Sequence, residues 1–148
     1  PKPWVSTKLT SVTVDHPPLG YLMHRLHMAL RGEVTDVVLE PLGLTFPEYI
    51  CLRMLSHAPG ASNAELARNI SVSRQAMNQV LRGLQDRGLV TRPPTAEKGR
   101  SRPAELTAAG SKLLRRTDSG VRAAEDRVLA RLGDDDRAEF RRILAALM

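Results

Sequence analysis

Residues Ser62 to Leu89 read SNAELARNISVSRQAMNQVLRGLQDRGL, and this stretch decides the fold. Ser62 and Glu65 have capping-box spacing: the hydroxyl accepts from a backbone N–H while the carboxylate reaches back. They open a short helix, 63–69. Ser73 has the right chemistry to cap the next helix, Arg74 to Asp86, and Gly88 ends it. Leu66, Ala67, Ile70, Val72, Met77, Val80 and Leu84 fit the buried positions, with Ala67 small where two helices cross. Ser73, Arg74, Gln75, Asn78, Gln79 and Arg82 are left on the outer face. Two helices joined by a tight turn, the second rich in Gln, Asn and Arg, have the layout of a helix-turn-helix. In that motif the second helix lies in the major groove of DNA. Gln and Asn can pair bidentately with adenine, and Arg with guanine. Arg74, Gln75 and Asn78 are therefore assigned to base reading, and Arg82 and Arg87 lie nearer the DNA backbone. Ser62 and Ser73, at helix N-termini, suit phosphate contact. The plain alternative is a polar face that only meets water.

The segment just after the motif argues against that alternative. Leu89-Val90-Thr91-Arg92 reads as a strand, PPTAEKGRS (93–101) as a polar, basic turn, and Arg102-Pro103-Ala104-Glu105-Leu106 as the returning strand. Pro103 cannot donate to a ladder, so that strand should be an edge or irregular. Arg100 and Arg102, two apart near the hairpin tip, suit a narrow minor groove, whose negative potential attracts inserted Arg. From Gly60 to Arg102 eight basic residues face three acids, in a chain whose net charge is +6. Most of the excess thus sits on one segment, as a polyanion-binding surface needs.

Working outward, residues 1–18 hold four prolines and read as an extended arm, with Trp4 and Val5 placed to pack on a partner subunit. Leu19 to about Glu40 is a first helix, with Leu19, Leu22, Met23, Leu26, Leu30, Val34, Val37 and Val38 at helical spacing. Thr45 and Glu48 repeat the capping box before a second helix, which Pro59-Gly60 stops. Thr107 opens a long helix to about Leu132, with Leu114, Val121, Val128 and Leu132 on one face. Gly110 and Gly120 weaken it by roughly 1 kcal/mol each relative to Ala. Asp134, Asp135 and Asp136 complement the macrodipole at the start of a last helix, whose apolar side is Phe140, Ile143, Leu144 and Leu147. The apolar stripes of the terminal helices exceed what a small core can cover, which implies a helical dimer interface. The fold class is mainly α with a small β-hairpin. Residues 19–44 and 107–148 form a dimerisation region around a DNA-binding lobe, 45–106.

The ordered set Glu65-Leu66-Ala67, Ser73, Leu84-x-x-Arg87-Gly88-Leu89-Val90 and Leu106-Thr107-x-x-Gly110 resembles the MarR family of bacterial winged helix-turn-helix transcription regulators. Each piece alone is weak; together, in order, they are specific. The resemblance covers about Leu19 to Met148. It implies a homodimer with intertwined terminal helices and two winged lobes on successive grooves of double-stranded DNA, most often a repressor binding a pseudo-palindromic operator. Lys98 stands where the family's wing has an Asp two residues before the Arg that matches Arg100. The resemblance also implies a small phenolic or anionic effector bound between the dimer helices and the lobe. The candidates there are Tyr21, His24, Arg25, Met28, Tyr49 and Arg53, apolar walls with a few polar anchors.

Other chemistry finds little support. No nucleophile elbow, phosphate loop or HExxH spacing points to an enzyme, and no cofactor is implied. His24 and His27 share a helical face, but no carboxylate or thiol completes a metal site from sequence. Cys51, the single cysteine, fits a buried small hydrophobe better than a redox sensor, although Tyr49 stands beside it. One cysteine fits a reducing compartment, and no signal peptide or membrane-spanning run is evident. The expectation is a bacterial cytoplasmic protein. The alternatives are a winged-helix interaction module without DNA binding, and a metal- or redox-responsive regulator.

Overall fold

The computed structural model describes residues 16–92 and 104–148. Six α-helices and a two-stranded hairpin run in this order: α1 Leu19–Val34, α2 Phe46–His57, α3 Asn63–Ile70, α4 Arg74–Asp86, β1 Val90–Thr91, β2 Glu105–Leu106, α5 Ala108–Val128 and α6 Asp134–Ala146. The extended arm expected over residues 1–18 falls largely outside the described residues, as does the wing turn.

Local chemistry sets most of the boundaries. Thr45 and Glu48 close a complete capping box: the Glu48 N–H donates to Thr45 Oγ1 at 3.3 Å and the Thr45 N–H to Glu48 Oε1 at 3.0 Å. Ser62, Ser73 and Thr107 each accept from the backbone N–H three residues on, satisfying one of the four orphan donors that every helix start leaves.

The first helix departs from the expectation. Its α geometry stops at Val34, a π turn comes next over Thr35–Leu39, and a 3-10 turn spans Glu40–Leu42. A π turn repeats every five residues rather than four, which lets Val34 and Leu39 share the buried side while Val37 turns out, half exposed. Across the core, a Cβ on Gly120 would come within 3.1 Å of Val38, so α5 passes close against the π turn there. Gly110 has the same use: a Cβ there would sit 2.0 Å from the Leu89 carbonyl oxygen. The two glycines that weaken α5 thus sit where it passes close to Leu89 and to the π turn. α5 ends at Val128, a turn earlier than its apolar spacing suggests, and Leu129 to Leu132 form a turn before α6.

The core centres on the lobe and draws on the segments either side of it. Leu52, Leu55, Leu66, Met77, Leu81 and Leu84 are sealed from solvent, joined by Leu39, Leu89, Val90 and, from α5, Leu114, Val121 and Ala124. Leu81 takes the place that sequence spacing gave to Val80, which is only half-buried. β1 and β2 pair antiparallel, Val90 opposite Leu106 and Thr91 opposite Glu105. The link between α2 and α3 adds a third lane, with Gly60 N–H donating to the Ala104 carbonyl at 3.0 Å and Ala104 N–H to Ala61 at 3.4 Å. The terminal helices differ sharply. α1 buries Val34 alone, and α6 buries none of its residues. No helix among the described residues is long and apolar enough to cross a membrane.

Candidate nucleic-acid interface and effector cavity

α4 is divided lengthwise. Met77, Leu81 and Leu84 recur at i, i+4 and i+7 and are fully buried against α3 and α2. Ser73, Arg74, Gln75, Gln79 and Arg82 are exposed on the other side, with Asn78 half-buried at the edge. The outer face expected from sequence is therefore brought together on one surface. The turn before α4 is held by the Val72 N–H on the Ala67 carbonyl at 3.0 Å, with Ser71 in the left-handed region at φ 60°. Ser62 and Ser73 use their oxygens as acceptors for their own helices. A hydroxyl also carries a proton, which the cap does not use and which a phosphate can accept.

Arg87 serves the scaffold. Its guanidinium donates to the carbonyls of Gly43 (2.8 Å) and Leu42 (3.2 Å), fastening the end of α4 to the turn that closes the first helical segment. Arg100 and Arg102, together with Lys98 and Pro103, lie outside the described residues.

Sequence reasoning missed Arg92. Placed directly after β1, it donates from Nη1 to Asn78 Oδ1 at 3.1 Å and from Nε to Gln85 Oε1 at 3.3 Å. Asn78 and Gln85 are seven apart, two turns along one side of α4. Their spacing made a shared partner readable, but nothing local identified it as the residue at the base of the wing.

A cavity of about 620 Å³ opens between α1, α2 and the end of α3. His27 and Arg31 come from α1, Phe46, Pro47 and Ile50 from the start of α2, and Ile70, Ser71 and Val72 from the turn that leads into α4. The Arg31 guanidinium lies over the Phe46 ring at 5.0 Å, and His27 meets the same ring edge-on at 5.8 Å. Apolar walls with one guanidinium suit a flat aromatic anion. None of the six effector candidates read from the sequence lines this cavity. Tyr21, His24, Arg25 and Met28 are exposed on α1 outside it, with Arg25 over the Tyr21 ring. Tyr49 and Arg53 face α5, where Arg53 pairs with Asp118. Burial holds the Tyr49 hydroxyl above its ordinary pKa, partly opposed by its hydrogen bond from Arg53. The i, i+4 pair His27 and Arg31 was visible in the sequence, but the ring that makes it a site lies beyond the π turn.

Cys51 is fully buried, and burial, helped by the nearby Glu48 charge, pushes its thiol up to about 12. The nucleophilic species is the thiolate, so this environment does not suit a redox sensor. No group of three or more His, Cys, Asp or Glu among the described residues is arranged to hold a metal ion.

Residues 42–101 match the MarR family model. The chain is 56% identical over 133 residues to the HTH-type transcriptional repressor Rv2887 of Mycobacterium tuberculosis, covering 90% of this chain and 95% of the relative. The crystal structure of that M. tuberculosis protein in complex with salicylic acid superposes with a TM-score of 0.77 at 55% identity, covering 91% of this chain and 99% of the other. Its complex with DNA gives 0.75 at 53% identity, covering 89% and 98%.

Proposed function

Because the chain belongs to the MarR family, we propose that it is a homodimeric, sequence-specific transcriptional repressor of the bacterial cytoplasm, released from its operator by a small aromatic anion. The observation that carries the reading is α4: a sealed apolar side fixes the helix, and the opposite side offers Arg74, Gln75, Asn78 and Gln79 together. The terminal helices supply the dimer. α1 leaves Leu19, Leu22, Met23 and Met28 open, and α6 with its C-cap leaves Ile143 and Leu147 open, more apolar surface than a monomer keeps in water. Residues 19–44 and 107–148 then act as the dimerisation region and 45–106 as the lobe. Two symmetric lobes imply a pseudo-palindromic operator with half-sites about one helical turn apart.

Selection from a random duplex pool at near-physiological salt tests this. The wild type enriches a two-fold-symmetric motif and the Gln75→Ala/Asn78→Ala double variant does not. No enrichment by the wild type, or equal enrichment by both, overturns the reading. The lining of the cavity at Arg31 supports it as the effector site, and the salicylic acid complex of the related protein supports the ligand class. Salicylate releases the wild type from its selected operator in fluorescence anisotropy. Arg31→Ala binds the operator normally but needs at least tenfold more salicylate, the loss of a charge-assisted contact. An unchanged response removes Arg31 from the site.

A further inference from the structure

The contact between Arg92 and Asn78 constrains which base the recognition helix reads. A primary amide offers one acceptor oxygen and an NH₂ with two donors, whereas a guanidinium only donates. Arg92 Nη1 sits 3.1 Å from Asn78 Oδ1 in a part-buried contact, and its Nε holds Gln85 at 3.3 Å. The second hydrogen bond fixes the guanidinium along the side of α4, so the amide oxygen is turned towards the wing base. The Asn78 NH₂ is then what remains for the groove.

An Asn that recognises adenine does so with both ends of its amide: the oxygen accepts from N6 and the nitrogen donates to N7. An amide whose oxygen already accepts from a guanidinium has a single lone pair left, so its two N–H donors are its stronger offer. Guanine, with acceptors at both O6 and N7, and thymine, with O4, satisfy such donors, whereas adenine offers N7 alone and sets its own N6 donor beside it. We infer that Arg92 is a specificity-determining positioning residue, which holds the Asn78 amide so that α4 reads an acceptor edge, guanine or thymine, rather than adenine at the position facing Asn78. The inference rests on the DNA-binding reading above and replaces the adenine pairing expected for Asn78 from sequence.

The test is a selection from randomised duplexes with the full chain as wild type, Asn78→Ala, Arg92→Ala and Asn78→Asp. Asn78→Ala marks the half-site position that the residue reads, as the one whose preference flattens. At that position the wild type enriches guanine or thymine. Arg92→Ala frees the oxygen, and the share of adenine relative to guanine rises about tenfold there, the discrimination of one bidentate pair, with other positions unchanged. Asn78→Asp keeps a partner for Arg92 but has no donor, so its affinity for the wild-type motif falls at least tenfold in anisotropy. This variant tests the inference even if Arg92→Ala does not fold.

A wild-type preference for adenine at the marked position overturns the inference. So does an Arg92→Ala variant that loses affinity for every sequence alike without changing that preference, the result of a merely structural role. So does an Asn78→Asp variant that binds as tightly as the wild type. If the wild type enriches no motif, the DNA-binding reading itself falls and takes the inference with it.

Discussion

The lobe and the terminal helices answer opposite physical demands. In the lobe, α2, α3, α4 and β1 seal Leu52, Leu66, Met77, Leu81 and Val90 from water, and each helix start is capped by its own hydroxyl. α1 packs along α5 yet buries only Val34, and α6 buries none of its residues; ion pairs tie both to α5, Arg127 with Glu33 and Arg141 with Glu125. Those pairs sit on half-exposed side chains, where such contacts contribute about 0–1 kcal/mol. The lobe is held by sealed apolar side chains, while α1 and α6 leave large apolar side chains open to solvent.

Core truncation should make the largest difference. Leu81→Ala removes a fully buried side chain from α4 and should cost about 2–5 kcal/mol in urea unfolding, with operator binding lost as the lobe opens. Leu22→Glu with Leu147→Glu should instead leave the lobe folded, with near-native helical circular dichroism. The dimer should dissociate at least tenfold more readily in sedimentation, since a charge would be buried in an apolar interface. A double variant that stays dimeric would break the contrast. Arg53→Ala, which frees Asp118 between α2 and α5, should cost at most about 1 kcal/mol because both side chains are about a third exposed. A larger loss would mean that this link joins the two regions more firmly than its exposure implies.

The smallest expected effect is at Cys51. Its thiol is raised from an ordinary 9.0 to about 12, so at pH 8 it remains protonated and folded protein should not react with a disulfide reagent. A group held protonated in this way contributes stability fully below pH 9, and that contribution is lost as pH rises towards 12. Rapid labelling at pH 8 would show that α2 opens far more often than a sealed core allows.

Legibility in the sequence divides along the same line. α4 runs from Arg74 to Asp86 as its sequence implies, because Ser73 and Gly88 act on their own neighbours. The box at Thr45 and Glu48 is equally local. Leu81 escapes the spacing argument because Val80 also fits an apolar period, and one residue of rotation separates them. The π turn could not be read, because Val38 within it packs against Gly120 of α5, more than eighty residues away. Arg92 at Asn78 and Phe46 at Arg31 are contacts of the same kind. The chemistry of each side chain was plain, but the partner is set by tertiary packing.

The Arg87 clasp on Leu42 and Gly43 has a geometric consequence. It fixes the far end of the recognition helix to the root of the dimer arm, so in the proposed dimer the two recognition helices sit on a rigid frame and measure distance as well as sequence. Such a frame acts as a calliper. An operator with one base pair inserted at its centre displaces one half-site by about 3.4 Å and rotates it by roughly a tenth of a turn. The calliper then meets only one half-site, even though every base it reads is still present.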